Sequence, residues 1–373
     1  MIYLDYAANT PVSEEVLEAY VEVSKQYIAN PNSTHSLGRM AKTKMDEATE
    51  QIATMLSVNT SEIIYTSGAT ESNNLAIKGI ANQYKKYGRH IITTYLEHSS
   101  VTGAITALSN QGFEVDFVGI LEDGQVDLDH LKELMREDTI LVSIGYVDSE
   151  VGIIQDINAI HEVIKSYPNC RFHVDATQAI GKIPVDLSII DLITFTAHKF
   201  YGLDGCGVLI KKEGIQLEPL IHGGISTTVY RSGTPTLALV VATNKALALV
   251  LDNLKANLEH VQELNCILRS QLSLYKKLRI NSPENASPYI INFSIPGVKS
   301  MDFQNKLENH EVYISTKSAC CQANTASRPV YALSKDRKIA LSTLRISISH
   351  YTTKEEINSF LQIFDEVYQS LVK

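Results

Sequence analysis

Apolar positions recur with two periods along this chain, and the alternation between them maps a series of elements. Ser13 followed by Glu14 and Glu15 reads as an N-cap and acidic first turn, predicting a helix to about Tyr27. Ala41, Met45, Ala48, Ile52 and Leu56 lie at helical spacing and predict a second amphipathic helix. Short apolar runs then alternate with helical stretches. Ile63–Thr66, His90–Tyr95, Glu114–Val118, Ile140–Val147, Phe172–Val174, Leu192–Thr196 and Gly207–Ile210 read as strands, and helices open after SGATESNN (Ser67–Asn74), at Ser99, at Asp127 and at Ile157. Strands alternating with helices imply an α/β fold with a largely parallel sheet covered on both faces, and such sheets bind ligands in the loops at strand carboxyl ends.

After about Pro235 the pattern changes. Thr236–Leu274 reads as one long helical region, followed by strands at Tyr289–Ile295, Val312–Ser315 and Leu344–Ser349 and helices near Met301–Asn309 and Thr353–Val372. Thr353 with Glu356 forms a capping box, and Ile357, Phe360, Phe364, Val367 and Leu371 make one apolar stripe. The expected organisation is a large domain over 14–246 and a smaller α+β domain built from 1–13 and 247–373, the strand-like Met1–Thr10 joining the latter.

Composition narrows the classes. The 373 residues suffice for two cores, and 44% hydrophobic with 20% charged residues is ordinary for a globular protein. A net charge of −9 argues against broad binding to nucleic acid or anionic membrane. No apolar run approaches the ~18 residues of a membrane span, and MIYLDYAANT carries an acid where a secretory signal needs basic and then apolar residues. The expectation is a cytoplasmic protein with no membrane and no direct nucleic-acid partner. Five cysteines show no zinc-type spacing. Cys170, Cys206 and Cys266 read as small core residues, whereas Cys320 and Cys321 stand in a polar, irregular stretch.

Candidate chemistry centres on Asp191–Leu209, where an apolar strand delivers Lys199 to a glycine-punctuated loop. A lysine in such a loop is ordinarily solvated; beside apolar walls it becomes a nucleophile able to form a Schiff base. Two other stretches change its reading. SGATESNN joins a strand to a helix whose small and hydroxyl residues suit phosphate, although any such connection needs a cap. Asp175 follows the apolar Phe172–Val174 and suits either a helix N-cap or a pyridinium partner, with Gln178 in reach of a ring substituent. An aspartate and a lysine on neighbouring strand ends are what pyridoxal phosphate requires.

The segments YLDYAANTP, NPNSTHSLG, TSGATESNNLAIKG, EHSSV, VDATQAIGK, FTAHKFYGLDGCG, HGG, RSGTP, STKSAC and LRISIS resemble, in this order, those of the cysteine desulfurases among the class V aminotransferase-like enzymes. The resemblance spans almost the whole chain. It implies a fold type I transferase, a homodimer, pyridoxal 5'-phosphate as cofactor, and conversion of L-cysteine to L-alanine with the sulfur held as a protein persulfide. It places Lys199 in the Schiff base, Asp175 at the pyridine nitrogen, Gln178 at the ring oxygen and His98 stacked on the ring as an acid or base. Ala69, Thr70, Thr196 and His198 would hold the phosphate, Thr234 would reach the partner subunit's phosphate, and Arg345 assisted by Asn32 would take the substrate carboxylate. Cys320 would accept the sulfur, its thiolate favoured by Lys317 and Arg328, and pass it to an acceptor protein.

Three departures follow. The family's Asn-Asn-Glu stands here as Asp148-Ser149-Glu150, so a ring-oxygen contact falls to Ser149. Cys321 adjoins the nucleophile as a passive neighbour, a second carrier or a disulfide hazard. The chain ends at Lys373 without the longer tail used for iron–sulfur scaffolds, so the expected acceptor is a sulfurtransferase of tRNA thiolation or thiamine synthesis. The alternatives are an iron–sulfur sulfur donor, an aminotransferase or selenocysteine lyase that does not need Cys320, and a non-catalytic scaffold.

Overall fold

The chain was analysed as a computed structural model that describes residues 1–317 and 325–372. Its strands are β1 (Ile2–Tyr3), β2 (Ile63–Thr66), β3 (His90–Thr93), β4 (Glu114–Phe117), β5 (Thr139–Gly145), β6 (Arg171–Asp175), β7 (Leu192–Thr196), β8 (Gly207–Lys211), β9 (Arg279–Ile280), β10 (Ile290–Ser294), β11 (Val312–Tyr313) and β12 (Thr343–Ser347). Seven of them form one sheet in the order β2-β8-β7-β6-β5-β3-β4. Only β8 runs antiparallel to its neighbours. The reason is local. Little more than a short turn at Ala197–Lys199 and a loop separates β7 from β8, and a parallel return needs a crossover of roughly a dozen residues or more.

Both faces of this sheet are covered, and β5, β7 and β8 read as nearly continuous apolar runs for that reason. On one face Ile64, Ile91, Leu141 and Leu209 pack with Leu75, Ile80, Ile105 and Leu108 from the helices Ala69–Tyr84 and Ser99–Ser109. On the other, Val142, Phe172, Val174, Ile193 and Phe195 pack with Ile157, Ile160, Leu247 and Val250. The strand order reverses direction between β3 and β5. A topological switch point of this kind opens a crevice at the carboxyl ends of the strands.

A second apolar core lies around the antiparallel sheet β12-β10-β9. Phe293, Leu344 and Ile346 pack there with Leu264, Leu268, Phe303, Phe360 and Phe364. The amino terminus joins this core, because β1 pairs in parallel with β11 and Asp5 bridges to Ser347. The region expected as one long helix is two, Leu237–Asp252 and Leu254–Leu272, bent by 67°. Asn253 sits at the break and its side-chain amide donates to the Leu249 carbonyl at 3.0 Å, competing with the helical ladder. The bend passes the chain from the first core to the second.

Two short helices went unread in the sequence, Arg328–Ser334 and Arg337–Leu341, capped by Ser327 and Asp336. Cys170 and Cys206 are buried as expected, but Cys266 is exposed. It lies two residues beyond Leu264 and two before Leu268, off the buried stripe of its helix. Among the described residues no single helix is long and apolar enough to cross a membrane.

Candidate active site

A cavity of about 450 Å³ opens at the switch point, within the size range of small-molecule sites. Each strand end supplies part of its wall. Ser67 to Glu71 follow β2, Thr94 and Leu96 to His98 follow β3, Asp148 and Ser149 follow β5, Asp175 closes β6, and Thr196, His198 and Lys199 lie at the end of β7. Arg345 reaches the same cavity from β12, and Ala7 and Ala8 from the amino terminus.

Asp175 is fixed by neutral donors. Its Oδ2 accepts from Asn73 Nδ2 at 2.7 Å and its Oδ1 from the Thr177 amide at 3.0 Å. Asn73 Nδ2 also donates to Ser100 Oγ at 2.8 Å, so the Ser100 hydroxyl donates onward to His98 Nδ1 at 2.8 Å. The Ser100 amide donates to the same Nδ1. With Nδ1 an acceptor, neutral His98 carries its proton on Nε2. Burial pulls the His98 pKa down, favouring that neutral form.

Lys199 donates to the carbonyls of Ala7 at 3.0 Å and Ala8 at 2.5 Å. Gln178 donates from Nε2 to the same Ala7 carbonyl at 2.9 Å, and its Oε1 accepts from Lys182 Nζ at 2.6 Å. Lys182 was not read in the sequence. It is only 6% exposed, and burial, followed by the charges of Lys199 and Arg345, pulls it down to about 7. The signal present was its place in VDATQAIGK, four residues after Gln178 on the same turn.

The helix Ala69–Tyr84 begins at the cavity with no side-chain cap. Its first amides lack a side-chain cap and its dipole points at the cavity, which suits an anion, while Glu71 of the first turn is engaged by the Ser67 amide and Arg231. The close fit of this turn to β8 requires Gly207, where a Cβ would lie 2.4 Å from the Gly68 carbonyl carbon. Thr196 and His198 line the same end, but Thr196 Oγ1 already donates to the Cys206 carbonyl at 2.8 Å. Its remaining capacity is as acceptor from His198 Nδ1, at 3.2 Å. Burial, then the neighbouring Lys199, pulls His198 down to about 4, so its ring is neutral.

Arg345 is 1% exposed. Its guanidinium donates to Asp5 Oδ1 at 2.6 Å and to the Ser149 carbonyl at 2.7 Å. Its Nε is buried with no partner among the described residues. Asn32 and Thr234 stand outside the cavity. Asn32 is exposed and donates to Ser226 at 2.8 Å, and Thr234 is exposed in the neighbouring segment. Cys320 and Cys321 lie outside the described residues. The stretch that contains them is flanked by a tie, Lys317 Nζ donating to Thr325 Oγ1 at 2.6 Å, and Arg328 beyond it donates to the Glu97 carbonyl at 3.3 Å.

Pyridoxal 5'-phosphate fits this donor set. The helix end matches a phosphate, Asp175 a pyridinium, Lys199 a carbonyl carbon, and the Arg345 guanidinium a carboxylate.

Comparison with known proteins agrees. The family model described as aminotransferase class-V matches residues 2–360. A protein named cysteine desulfurase IscS from Dictyoglomus turgidum is 37% identical, covering 99% of this chain and 95% of its own. A solved structure titled NifS-like protein superposes with a TM-score of 0.94 at 36% identity, covering 99% of this chain and 100% of its own. Another, titled SspA in complex with cysteine, gives 0.83 at 31% identity over 95% and 100%. With the Lys199–Asp175 pair, the uncapped helix and Arg345 around one cavity, these matches place the chain in the class-V aminotransferase family of pyridoxal phosphate-dependent enzymes, among its NifS-like members.

Proposed function

We propose that this protein is a cysteine desulfurase that converts L-cysteine to L-alanine and captures the sulfur as a persulfide on Cys320. The observation that carries the reading is the convergence of Lys199, Asp175 and Arg345 on one cavity, together with the likeness to a protein whose structure holds cysteine.

Bound in this cavity, pyridoxal phosphate supplies an electron sink for carbanion chemistry at the substrate. Asp175, held by Asn73 and Thr177, would keep the ring nitrogen protonated. Gln178, whose Nε2 donates to the Ala7 carbonyl and whose Oε1 accepts from Lys182, would offer its second Nε2 hydrogen to the ring oxygen, and Ser149 would add its hydroxyl. Ala69 and Thr70 would hold the phosphate, with Thr196 and His198 beside them. Lys199 would supply the covalent link and move the proton at the substrate α-carbon, and His98 would stack on the ring and serve as acid or base. Arg345, which lines the cavity, would take the substrate carboxylate, its guanidinium oriented by Asp5 and the Ser149 carbonyl. The Cys320 thiolate takes the substrate sulfur, forming an S–S bond as the C–S bond breaks and leaving the carbon to be protonated to alanine.

A homodimer completes the reading. Ile28, Met40, Ile225 and Val229 are exposed apolar residues, and the Asn32–Ser226 hydrogen bond ties their two segments together. Thr234 and Asn32 would act across that interface. The proposed large domain over 14–246 and small one from 1–13 and 247–373 follow the two cores, except that Leu247 and Val250 still pack in the first, which puts the crossing at the Asn253 bend. Buried free thiols at Cys170 and Cys206 suit a reducing, cytoplasmic setting. The acceptor proposed is a sulfurtransferase of tRNA thiolation or thiamine synthesis, with an iron–sulfur scaffold as its competitor.

The test is turnover of L-cysteine by wild type, Cys320→Ala and Cys321→Ala, with alanine quantified and both cysteines examined for persulfide by mass spectrometry. Persulfide on Cys320 and alanine release lost in C320A support the reading. Full alanine release by C320A overturns it in favour of a lyase or aminotransferase.

A further inference from the structure

Lys182 carries no step of the chemistry above, yet the chain buries it beside the site. It lies on the turn that follows β6, where Ala179 and Ile180 donate their amides to the Ala176 carbonyl and Lys182 donates its own to the Ala179 carbonyl. Gly181 reverses the chain there with φ of 75°, and a Cβ at this position would lie 2.7 Å from Val250 Cγ2 and 3.1 Å from Phe200 Cβ. Glycine alone meets both conditions. The reversal returns Lys182 to Gln178, and their side chains meet at 2.6 Å, Nζ donating to Oε1.

A lysine buried to 6% exposure is ordinarily paired with an acid. The charges that act on Lys182 are instead those of Lys199 and Arg345, both cations, and after burial they hold its pKa down near 7. Such a placement opposes folding, so its reason lies in the group that Lys182 touches.

That group is the Gln178 amide, which lines the cavity. A glutamine amide has an acceptor oxygen and two N–H donors. The Ala7 carbonyl takes one donor at 2.9 Å and Lys182 takes the oxygen, so the second N–H is the part left for a ligand. Turned through half a circle, the amide would set Oε1 against the Ala7 carbonyl and Nε2 against Nζ, acceptor facing acceptor and donor facing donor. Ala7 is a backbone anchor that no substitution removes, whereas Lys182 is an anchor that a substitution can delete.

We propose that Lys182 is a positioning residue, which by donating to Gln178 Oε1 fixes the amide so that its free Nε2–H is presented to the ring oxygen of the cofactor. The proposal rests on the reading of this cavity as a pyridoxal phosphate site. It gives the two buried lysines separate tasks, Lys199 bonding to the cofactor and Lys182 acting on it only through Gln178.

The test is a double-mutant cycle read by the affinity of the apoprotein for pyridoxal phosphate. Wild type, Lys182→Met, Gln178→Leu and the double variant are titrated at one pH. Met leaves Oε1 without its donor and the amide free to turn, so K182M should bind about tenfold more weakly than wild type. In the Q178L background the same change should cost nothing further, because the amide through which Lys182 acts is gone. An equal loss in both backgrounds would assign Lys182 to support of the fold and overturn the proposal.

Lys182→Gln separates the donor from the charge. It keeps an N–H for Oε1 and should bind like wild type; affinity as weak as that of Q178L would refute the donor role, and this variant decides the matter if K182M does not fold. Wild-type apoprotein that binds no pyridoxal phosphate would sink the cofactor reading and the proposal with it. Tight binding by wild type with additive losses would sink the role of Lys182 alone.

Discussion

The wall built by β5, β6 and β7 and the wall reached from β12 hold their charged side chains differently. Asp175 is steadied by an amide side chain and a backbone N–H, both neutral, so its charge stays available for a ligand. Arg345 is steadied by an opposite charge, Asp5, and by a carbonyl. Neutral supports position a charge without quenching it. An ionic support positions a charge and also competes for it, so a substrate carboxylate must share Arg345 with Asp5. The first wall is thus prepared for a resident cofactor, and the second for a ligand that comes and goes.

The largest effect should come from breaking the first wall. Lys199→Ala should lower L-cysteine turnover by at least about a thousandfold, since it removes the covalent nucleophile. A loss below tenfold would remove Lys199 from the chemistry. The second wall should respond differently. Arg345→Lys keeps a charge for Asp5 but loses the planar fork, and kcat/KM should fall about tenfold to a hundredfold, mainly through KM. A fall confined to kcat would move Arg345 from substrate binding to the chemical step.

A smaller effect separates support from chemistry. Folded Lys182 sits near 7 because of burial and then the charges of Lys199 and Arg345, against an ordinary 10.5. Between these values the unfolded chain binds more protons than the folded one, so the contribution to stability rises with pH across that window; below about 7 the penalty for burying the charge is fully present. Thermal unfolding of Lys182→Met should therefore lose ground to wild type as pH rises from neutral toward 10.5. Parallel curves would contradict the depressed value. The smallest effect lies far from the cavity. Thr353→Ala removes the capping box of the helix Lys354–Leu371 and should lower stability by about 1 kcal/mol, measured by denaturant unfolding, while leaving cofactor affinity unchanged.

The sequence made the first wall legible and much of the second opaque. Asp175 and Lys199 sit at the ends of apolar runs whose period is plain, so their strand-end positions follow from pattern alone. Asn73, Ser100 and Lys182 were hidden inside motifs, because hydrogen-bond partners depend on how neighbouring elements pack. The Arg345–Asp5 pair joins opposite ends of the chain, and no local pattern predicts contact at that separation. The break at Asn253 was missed because one polar residue barely interrupts a helical period.

The central question is which lysine carries the cofactor, since Lys182, on the turn that follows Asp175, is buried and low in pKa. Borohydride reduction of the purified protein, digestion and mass spectrometry will locate the pyridoxyl group. The predicted result is modification of Lys199 alone, absent in Lys199→Ala. A pyridoxyl group on Lys182, or on no lysine, would contradict it.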